Sequence, residues 1–256
     1  MSGHNKWSSI KHKKGAADAK RGKIFSRISK EIIIAAKEGG GDIDLNPRLR
    51  SAVAAGKAVN MPNDNIDRAV KKGTGELGGA LMEILSYEGY AAGGVAIIVN
   101  CLSDNRNRTA ADIRSFFNKY NCNMGGSGAV SWKFHRKARF VIEGENADEE
   151  KLFDLLLNGG ADVEDIDVDD DEAEIIAPPE AFNDILKILE AAGITATESS
   201  VALIPENTTE VSDAGVARQV QKFIDALEDY DDAQEVYNDM EVTDEVAEKL
   251  AEDEED

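Results

Sequence analysis

The spacing of apolar residues predicts that the chain begins with a helix. Ile24, Ile28, Ile32 and Ala35 recur at intervals of three or four residues, which places them on one side of an α-helix. The pattern runs from residue 18 to residue 38 and ends at three consecutive glycines. Lysines and arginines recur at the same period and fall roughly on the opposite side. The segment therefore predicts an amphipathic helix with a basic face.

Capping and breaking residues predict two further helices. Asn46 followed by Pro47 is a typical helix start. The Asn side chain accepts a hydrogen bond from one free amide of the first turn, and proline has no backbone N–H that would need a partner. Pro62 separates this helix from a third, which ends in two lysines and Gly73, where the helix dipole favours cations. We expect a three-helix bundle over residues 21–76, preceded by a basic N-terminal arm over residues 1–20.

The pattern after residue 77 is that of a mixed α+β region. Runs rich in Ile, Val and Tyr predict strands, and longer amphipathic segments predict helices. A second domain is predicted from strands at 81–90, 95–101 and 129–134, a helix at 106–120, a later helix at 213–228 and a strand at 234–237. It comprises residues 77–135 and 205–240.

The intervening residues 136–204 predict a third domain. Between residues 140 and 204 the order is strand, helix, strand, strand, helix, strand, which is typical of a ferredoxin-like fold. The predicted fold class is therefore α+β: an N-terminal three-helix bundle plus two α+β domains, the third ferredoxin-like and inserted into the second. Residues 241–256 are expected to form an acidic, partly helical tail.

Formal charge is divided unevenly along the chain. The first 72 residues contain sixteen bases and seven acids, a net charge of +9, whereas the remainder carries −30 and the whole chain −21. A compact basic segment on an acidic protein is an electrostatic footprint for a polyanion. Nucleic acid is therefore the predicted partner.

A second basic cluster follows in the middle of the chain. Between Asp104 and Arg139 there are eight bases and two acids, a net charge of +6. Residues 105–108 open the predicted helix at 106–120, so their side chains and the free amides of the helix start would suit a phosphate. The alternative is a capped helix start with exposed cations.

The candidate nucleic-acid-binding residues come from the arm, the bundle and this second cluster. They are Lys6, Lys11, His12, Lys13, Lys14, Lys20, Arg21, Lys23, Arg27, Lys30, Arg48, Arg50, Arg106, Arg108 and Arg136. Contacts of this kind position a protein on phosphates without reading sequence. No predicted helix offers the mixture of Asn, Gln and Arg typical of a base reader, so we expect weak sequence preference.

The sequence gives no reason to expect an enzyme. The glycine-rich stretches at 73–75 and 125–128 lack the GK[ST] signature of a phosphate loop and predict a hinge or tight turn. The three histidines lack partners at metal-ligand spacing, and the acidic run at 162–174 lacks the Gly and Glu of a calcium loop. Alternation of those acids with valine and isoleucine favours an exposed sheet face. No cofactor and no metal are predicted.

Composition also bears on compartment. The N-terminal residues lack the apolar segment of a secretory signal, and no apolar run approaches the ~20 residues of a membrane span. Cys101 and Cys122 form no CxxC motif and suit a reducing compartment as small core residues. We therefore expect a cytoplasmic protein without a membrane partner, monomeric or weakly oligomeric.

Several long motifs resemble one known family. The chain contains GHNKWSSIKHKKGAADAKRGKIFSRISKEIIIAAKEGGGD, NPRLRSAV, NMPNDNIDRAVKKGTG, YEGYAAGGVAIIVN, SDNRNRTAADIRSFF and GAVSW. These segments are similar to the YebC/PmpR family, and the resemblance spans nearly the whole chain, most densely up to Phe134. The chain departs from the family at Tyr90–Gly94, where a proline is usual, at Lys133, where an apolar residue is usual, and in its acidity after Phe140.

The resemblance implies the three-domain layout and two versions of one function. Family members are described as probable DNA-binding transcriptional regulators, while mitochondrial relatives are translational activators and bacterial ones have been connected with the ribosome. We therefore expect a non-catalytic nucleic-acid-binding regulator of gene expression. DNA is the first target, and a ribosome- or ribosomal-RNA-associated factor that assists elongation is the alternative; Trp7 and His12 would suit stacking on unpaired RNA bases. A third reading is an adaptor whose acidic domain docks basic proteins.

Overall fold

Three helices come first in the described part of the chain, as the sequence predicts. The computed structural model describes residues 17–78, 82–169 and 171–253, without the side chains of residues 17–23, 248 and 251–253. Asn46 caps the second helix by accepting a hydrogen bond from the Leu49 amide at 3.0 Å. It also donates to the Ala35 carbonyl at 2.8 Å, so this cap ties the second helix to the first. The helices are α1 (Ala17–Gly39), α2 (Pro47–Ala58) and α3 (Asn63–Gly73).

Strands and helices alternate through the rest of the described chain. In chain order they are β1 (Glu83–Tyr90), β2 (Ala96–Ser103), α4 (Arg106–Lys119), β3 (Asn123–Met124), β4 (Phe134–Glu143), α5 (Glu149–Asn158), β5 (Asp165–Asp169), β6 (Glu172–Ala177), α6 (Phe182–Ala191), β7 (Glu198–Pro205), β8 (Thr209–Val211), α7 (Ala214–Glu228), β9 (Ala233–Asn238), β10 (Met240–Val242) and α8 (Asp244–Asp253). The predicted α+β fold class, with its bundle and inserted third domain, is confirmed.

The second half of α1 lies at the centre of the bundle. Five successive residues, from Ile32 to Ala36, are buried. A helix that is apolar on every side must be covered on every side. The α2 and α3 helices cover part of it, and Met82 and Leu102 of the second domain join the same core. The bundle is therefore packed against the second domain rather than standing apart from it.

The second domain is built on an antiparallel sheet with strand order β3-β1-β2-β9. One face carries Val99 and packs on α4 and α7 through residues such as Phe117 and Phe223. Val246 of α8 also enters this core. Within the segment 241–256, expected to form a tail, the described residues begin in the short parallel pair of β10 with β8 and continue in a helix whose apolar side is buried.

The third domain has the strand order β5-β6-β4-β7 in an antiparallel sheet. This order, with α5 and α6 as the two crossovers, is the ferredoxin-like arrangement. Its core lies on one sheet face and includes Phe140, Leu156 and Ile185. Ile166 and Val168 of β5 pack against that core, so the alternation in the acidic run marks a strand whose apolar face is covered.

Of residues 129–134, predicted as a strand, 129–133 form a loop with one short helical turn at Ser131–Lys133, and only Phe134 belongs to a strand. The reason is a carboxylate forty residues away. Glu88 of β1, only 6% exposed, accepts hydrogen bonds from the amides of Gly128, Val130 and Ser131 at 2.8–2.9 Å. Amides that point at one carboxylate cannot also pair in a strand ladder. We call residues 125–133 the Glu88 loop.

The strand that follows the loop is longer than predicted. The sequence prediction placed a strand at 140–142 and a domain boundary after residue 135, but β4 runs unbroken from Phe134 to Glu143. Phe134 packs against β2 of the second domain, whereas Ala138 and Phe140 belong to the core of the third. One strand thus serves two cores.

A polar cluster joins the bundle to the second domain. The Asp232 carboxylate accepts hydrogen bonds from Arg108 at 2.9 Å, Thr109 at 2.9 Å and Tyr230 at 3.1 Å. The ammonium of Lys30, on α1, lies 3.9 Å from the other carboxylate oxygen, with its side chain 14% exposed. Burial lowers the pKa of Lys30, although Asp232 opposes that shift. We call these five residues the interdomain cluster.

The first prediction concerns Glu88. We expect Glu88→Ala to lower the free energy of unfolding in urea by about 3 kcal/mol, because three amides lose a charged acceptor. Glu83→Ala, on an exposed position of the same strand, is the control and should change it by less than about 0.5 kcal/mol. An unchanged urea midpoint for Glu88→Ala would contradict the assigned role.

The contribution of Glu88 should also depend on pH. Burial raises its pKa, but the amides of the loop outweigh burial and lower the pKa below the ordinary value of 4.5. A carboxyl with a lowered folded-state pKa stabilises fully above its unfolded pKa, and that stability is lost as pH falls through the folded one. The difference in free energy of unfolding between the native chain and Glu88→Ala should therefore become smaller as the pH is lowered through the folded-state pKa of Glu88.

The second prediction concerns Asp232. We expect Asp232→Ala to lower the free energy of unfolding by about 3 kcal/mol, because Arg108 and Thr109 lose an acceptor and Lys30 is left uncompensated. Asp231→Ala, at the exposed neighbouring position, should be nearly neutral. Adding Lys30→Met to Asp232→Ala should restore part of the loss. Strictly additive single and double variants would contradict the coupling.

Candidate nucleic-acid interface

The basic arm is only partly within the described residues. Lys6, Lys11, His12, Lys13 and Lys14 lie outside them, so their role stays a prediction. The same is true of the side chains of Lys20, Arg21 and Lys23, which lie in the first turns of α1.

The later cations of α1 contact the second domain, although Arg27 and Lys37 remain exposed. Arg27 donates to the Gln234 carbonyl at 3.2 Å, Lys30 belongs to the interdomain cluster, and Lys37 donates to the Met82 carbonyl. The sequence pattern places these cations opposite the Ile stripe, and of the three only Lys30 is largely buried. Lys30 is therefore corrected: its buried ammonium is not accessible to a phosphate.

Two arginines of α2 are engaged within the bundle. Arg48 forms ion pairs with Glu31 at 2.8 Å and with Glu38 at 2.6 Å. Arg50 donates to the carbonyls of Ile43 and Asp44. Both side chains are partly exposed, so a phosphate would have to compete with these partners.

The segment at residues 105–108 has the capped-helix geometry, which was one of the two alternatives. The Asn105 side chain accepts a hydrogen bond from the Arg108 amide at 3.1 Å, so the helix start is closed by its own cap. The Arg108 guanidinium pairs with Asp232 at 2.9 Å and Asp104 at 3.3 Å. Arg106 is exposed and makes no ion pair with a described residue, as is also true of Arg136 on β4.

The structure draws attention to four cations outside the predicted set. They are exposed, and their side chains make no ion pair or hydrogen bond within the described ranges. Three lie at i, i+3 and i+4 on α3, which places them on one side of that helix. The sequence interpretation assigned Lys71 and Lys72 only to the C-terminal dipole. Asp64 and Asp67 lie four residues before Arg68 and Lys71, so the sequence suggests ion pairs that the structure does not form. These exposed bundle cations are Lys57, Arg68, Lys71 and Lys72.

The other sequence features that suggest chemistry are occupied by the fold itself. The amides of the glycine-rich stretch at 125–128 and its continuation are bound to Glu88 rather than open to a nucleotide. Cys101 and Cys122 are buried and unpaired, and burial raises the pKa of Cys101 to about 12. Among the described residues, no three His, Cys, Asp or Glu side chains are placed to hold a metal ion, and no helix has the length and apolarity to cross a membrane.

Comparison with known proteins covers both the bundle and the two α+β domains. The profile of the TACO1/YebC N-terminal domain matches residues 5–76, and that of the TACO1/YebC second and third domain matches residues 81–240. A probable transcriptional regulatory protein of Desulforapulum autotrophicum is 52% identical over 246 residues, covering 96% of this chain and 98% of the relative. One from Geobacter sulfurreducens is 50% identical over 250 residues, covering 98% of this chain and 100% of the relative.

A solved structure has the same fold. The crystal structure of a conserved hypothetical protein from Aquifex aeolicus superposes with a TM-score of 0.81 at 40% identity, covering 92% of this chain and 96% of that one. Both family profiles, the full-length relatives and the superposition agree. The chain belongs to the TACO1/YebC family.

Proposed function

We propose that the protein is a non-catalytic regulator of gene expression that binds nucleic acid, with DNA as its first target. The observation that carries the proposal is the set of exposed bundle cations, which have no carboxylate partner among the described residues. Like charges gathered on one surface repel unless an anion lies opposite them. The names of the relatives, probable transcriptional regulatory proteins, support the regulatory role and favour DNA.

The acidic third domain restricts which part of the protein a nucleic acid can approach. Residues 140–204 contain two bases and nineteen acids, so this domain repels a polyanion. A nucleic acid that approaches the bundle is therefore kept away from the third domain. Contacts of this electrostatic kind depend strongly on salt and carry little sequence information.

A ribosome-associated role is the alternative within the same proposal. Phosphate contacts from a bundle and an arm serve equally well on a DNA duplex or in a crevice of folded RNA. Sedimentation of ribosomes from lysate, with and without nuclease, separates the two. Release of the protein from the ribosomal fraction by gentle salt would count against the ribosomal version.

A second candidate function is that of an adaptor for basic proteins. Phe153 and Leu157 lie one turn apart on α5 and are 51% and 61% exposed. Glu149, Glu150 and Asp154 are exposed on the same helix. An apolar pair with an acidic surround suits a partner that carries both apolar and basic side chains.

The third prediction tests nucleic-acid binding by the exposed bundle cations. The full-length chain should bind duplex DNA with a slope of log K against log salt of about −5, which corresponds to about six neutralised phosphates. Replacing Lys57, Arg68, Lys71 and Lys72 by Gln should make the slope shallower by about 3 and weaken binding more than tenfold. Fluorescence anisotropy with labelled oligonucleotides measures both quantities.

The matched control removes lysines from the acidic domain. Lys151→Gln and Lys187→Gln break pairs with Asp148 and Asp184 and should leave the slope unchanged. A native slope near zero would refute nucleic-acid binding. A slope in the fourfold variant equal to that of the native chain would assign the phosphate contacts to the basic N-terminal arm.

The fourth prediction separates the adaptor from the nucleic-acid binder. If the adaptor reading holds, Phe153→Ser with Leu157→Ser abolishes association with basic partners in lysate, while deletion of residues 1–20 leaves it intact. If nucleic acid is the partner, the deletion weakens association and the double variant has no effect. Leu77→Ser, at another exposed apolar position, is the control.

A further inference from the structure

Trp132 is displayed on the surface by a loop that is otherwise well anchored. Its side chain is 66% exposed, in contrast to its neighbours Val130 and Phe134, which are buried against β2. Tryptophan buries more apolar area than any other side chain when it packs, so leaving it in water gives up a large stabilisation. The exposed ring therefore needs an explanation that its own domain does not supply.

The backbone that carries Trp132 is fixed on both sides of the ring. Glu88 holds the preceding amides, and the Lys133 carbonyl accepts a hydrogen bond from the Glu206 amide at 2.7 Å. The Ala129 carbonyl accepts from the Tyr90 hydroxyl at 3.1 Å. A ring on such a loop loses little conformational entropy when it meets a ligand, which favours binding.

The indole has no hydrogen-bonding capacity left to offer. Its Nε1–H donates to the Ala129 carbonyl at 3.2 Å, and an indole has no other donor. What remains is the flat face of the ring. A flat, fixed, solvent-facing aromatic surface is suited to stacking, and unpaired nucleobases stack on such surfaces with little regard to sequence.

The loop that carries the ring lies on the same side of the sheet as the bundle. In the β1–β2 pairing, Ile84 lies opposite Leu102 and Glu88 lies opposite Ile98, so all four side chains share one sheet face. Leu102 packs in the core of the bundle, whereas Ile98 packs under Val130 of the Glu88 loop. The bundle and the loop therefore flank the same face of the sheet.

Of the cations that follow Trp132 up to residue 137, one is available for a phosphate. Lys133 pairs with Asp239, His135 lies 3.4 Å from Glu206, and Lys137 lies 2.6 Å from Glu164. Arg136 is exposed and makes no ion pair with any residue that the structure describes. An exposed aromatic ring and an unpaired guanidinium four residues apart in the chain are the residue types expected at a site for single-stranded nucleic acid.

We propose that Trp132 is a stacking platform for an unpaired base of a single-stranded nucleic acid, with Arg136 contacting an adjacent phosphate. The inference rests on the proposed nucleic-acid-binding function and adds to it a preference for unpaired segments. RNA and DNA share the base and phosphate chemistry that such a site recognises, so the experiment includes both.

The test uses the full-length chain with Trp7→Phe, which leaves Trp132 as its only tryptophan because the sequence contains two. Oligouridylate and oligodeoxyuridylate of about ten nucleotides, a length within the range that one such site covers, are titrated in parallel with a duplex of the same length. Both single strands should quench Trp132 emission, and the duplex should not. The tighter of the two single strands identifies the preferred sugar.

Affinity is then measured by anisotropy for substitutions at the platform. Trp132→Leu should weaken single-strand binding about tenfold, whereas Trp132→Phe should retain most of the affinity. Arg136→Gln should make the slope of log K against log salt shallower by the amount expected for the loss of about one phosphate contact. Leu45→Ser, at another exposed apolar position, should change nothing. Urea midpoints of the variants verify that the fold is intact.

The outcomes separate this inference from the function on which it rests. Unquenched emission with bound oligonucleotide, or native affinity in Trp132→Leu, would overturn the platform while leaving nucleic-acid binding in place. Loss of a protein partner in Trp132→Leu with unchanged oligonucleotide affinity would also overturn it. Absence of binding by the native chain to every nucleic acid would remove both.

Discussion

The Asp232 carboxylate is the point on which the arrangement of the bundle depends. It accepts hydrogen bonds from α4 and from the turn between α7 and β9, and it faces the ammonium of Lys30 on α1. A buried lysine is tolerated only where a carboxylate compensates its charge. The contact therefore sets which side of α1 faces the sheet, and with it which cations of the bundle remain available to a ligand.

Charge counted along the sequence overstates the basic surface for this reason. Lys30, Arg48 and Arg108 neutralise carboxylates of the protein itself, whereas the lysines at the end of α3 do not. A cation contributes to a polyanion site only to the extent that it is exposed and unpaired. The net charge of the first 72 residues points to the kind of partner, and three-dimensional pairing decides which residues can meet it.

Local signals predicted most of the fold. Asn46 and Pro47 mark a helix start by hydrogen bonds within four residues, and the order of elements in the third domain follows from spacing alone. The failures have long-range causes. The sequence of the Glu88 loop is typical of a strand, but its amides are hydrogen-bonded to a carboxylate of β1. The burial and pairing of Lys30 depend on Asp232, two hundred positions later in the chain. No local pattern contains that information. The sequence therefore predicted that the candidate site is basic, but it predicted only some of the residues that could form it.

The continuity of β4 has a mechanical consequence. The chain enters the third domain along β4 and leaves it along β7, and these two strands are hydrogen-bonded to each other from the pair Phe134–Pro205 to the pair Val141–Glu198. The entry and exit thus form a double-stranded stalk without an intervening linker. This two-stranded connection resists bending. A force applied to the acidic domain is therefore transmitted to its base, where Phe134 adjoins the Glu88 loop.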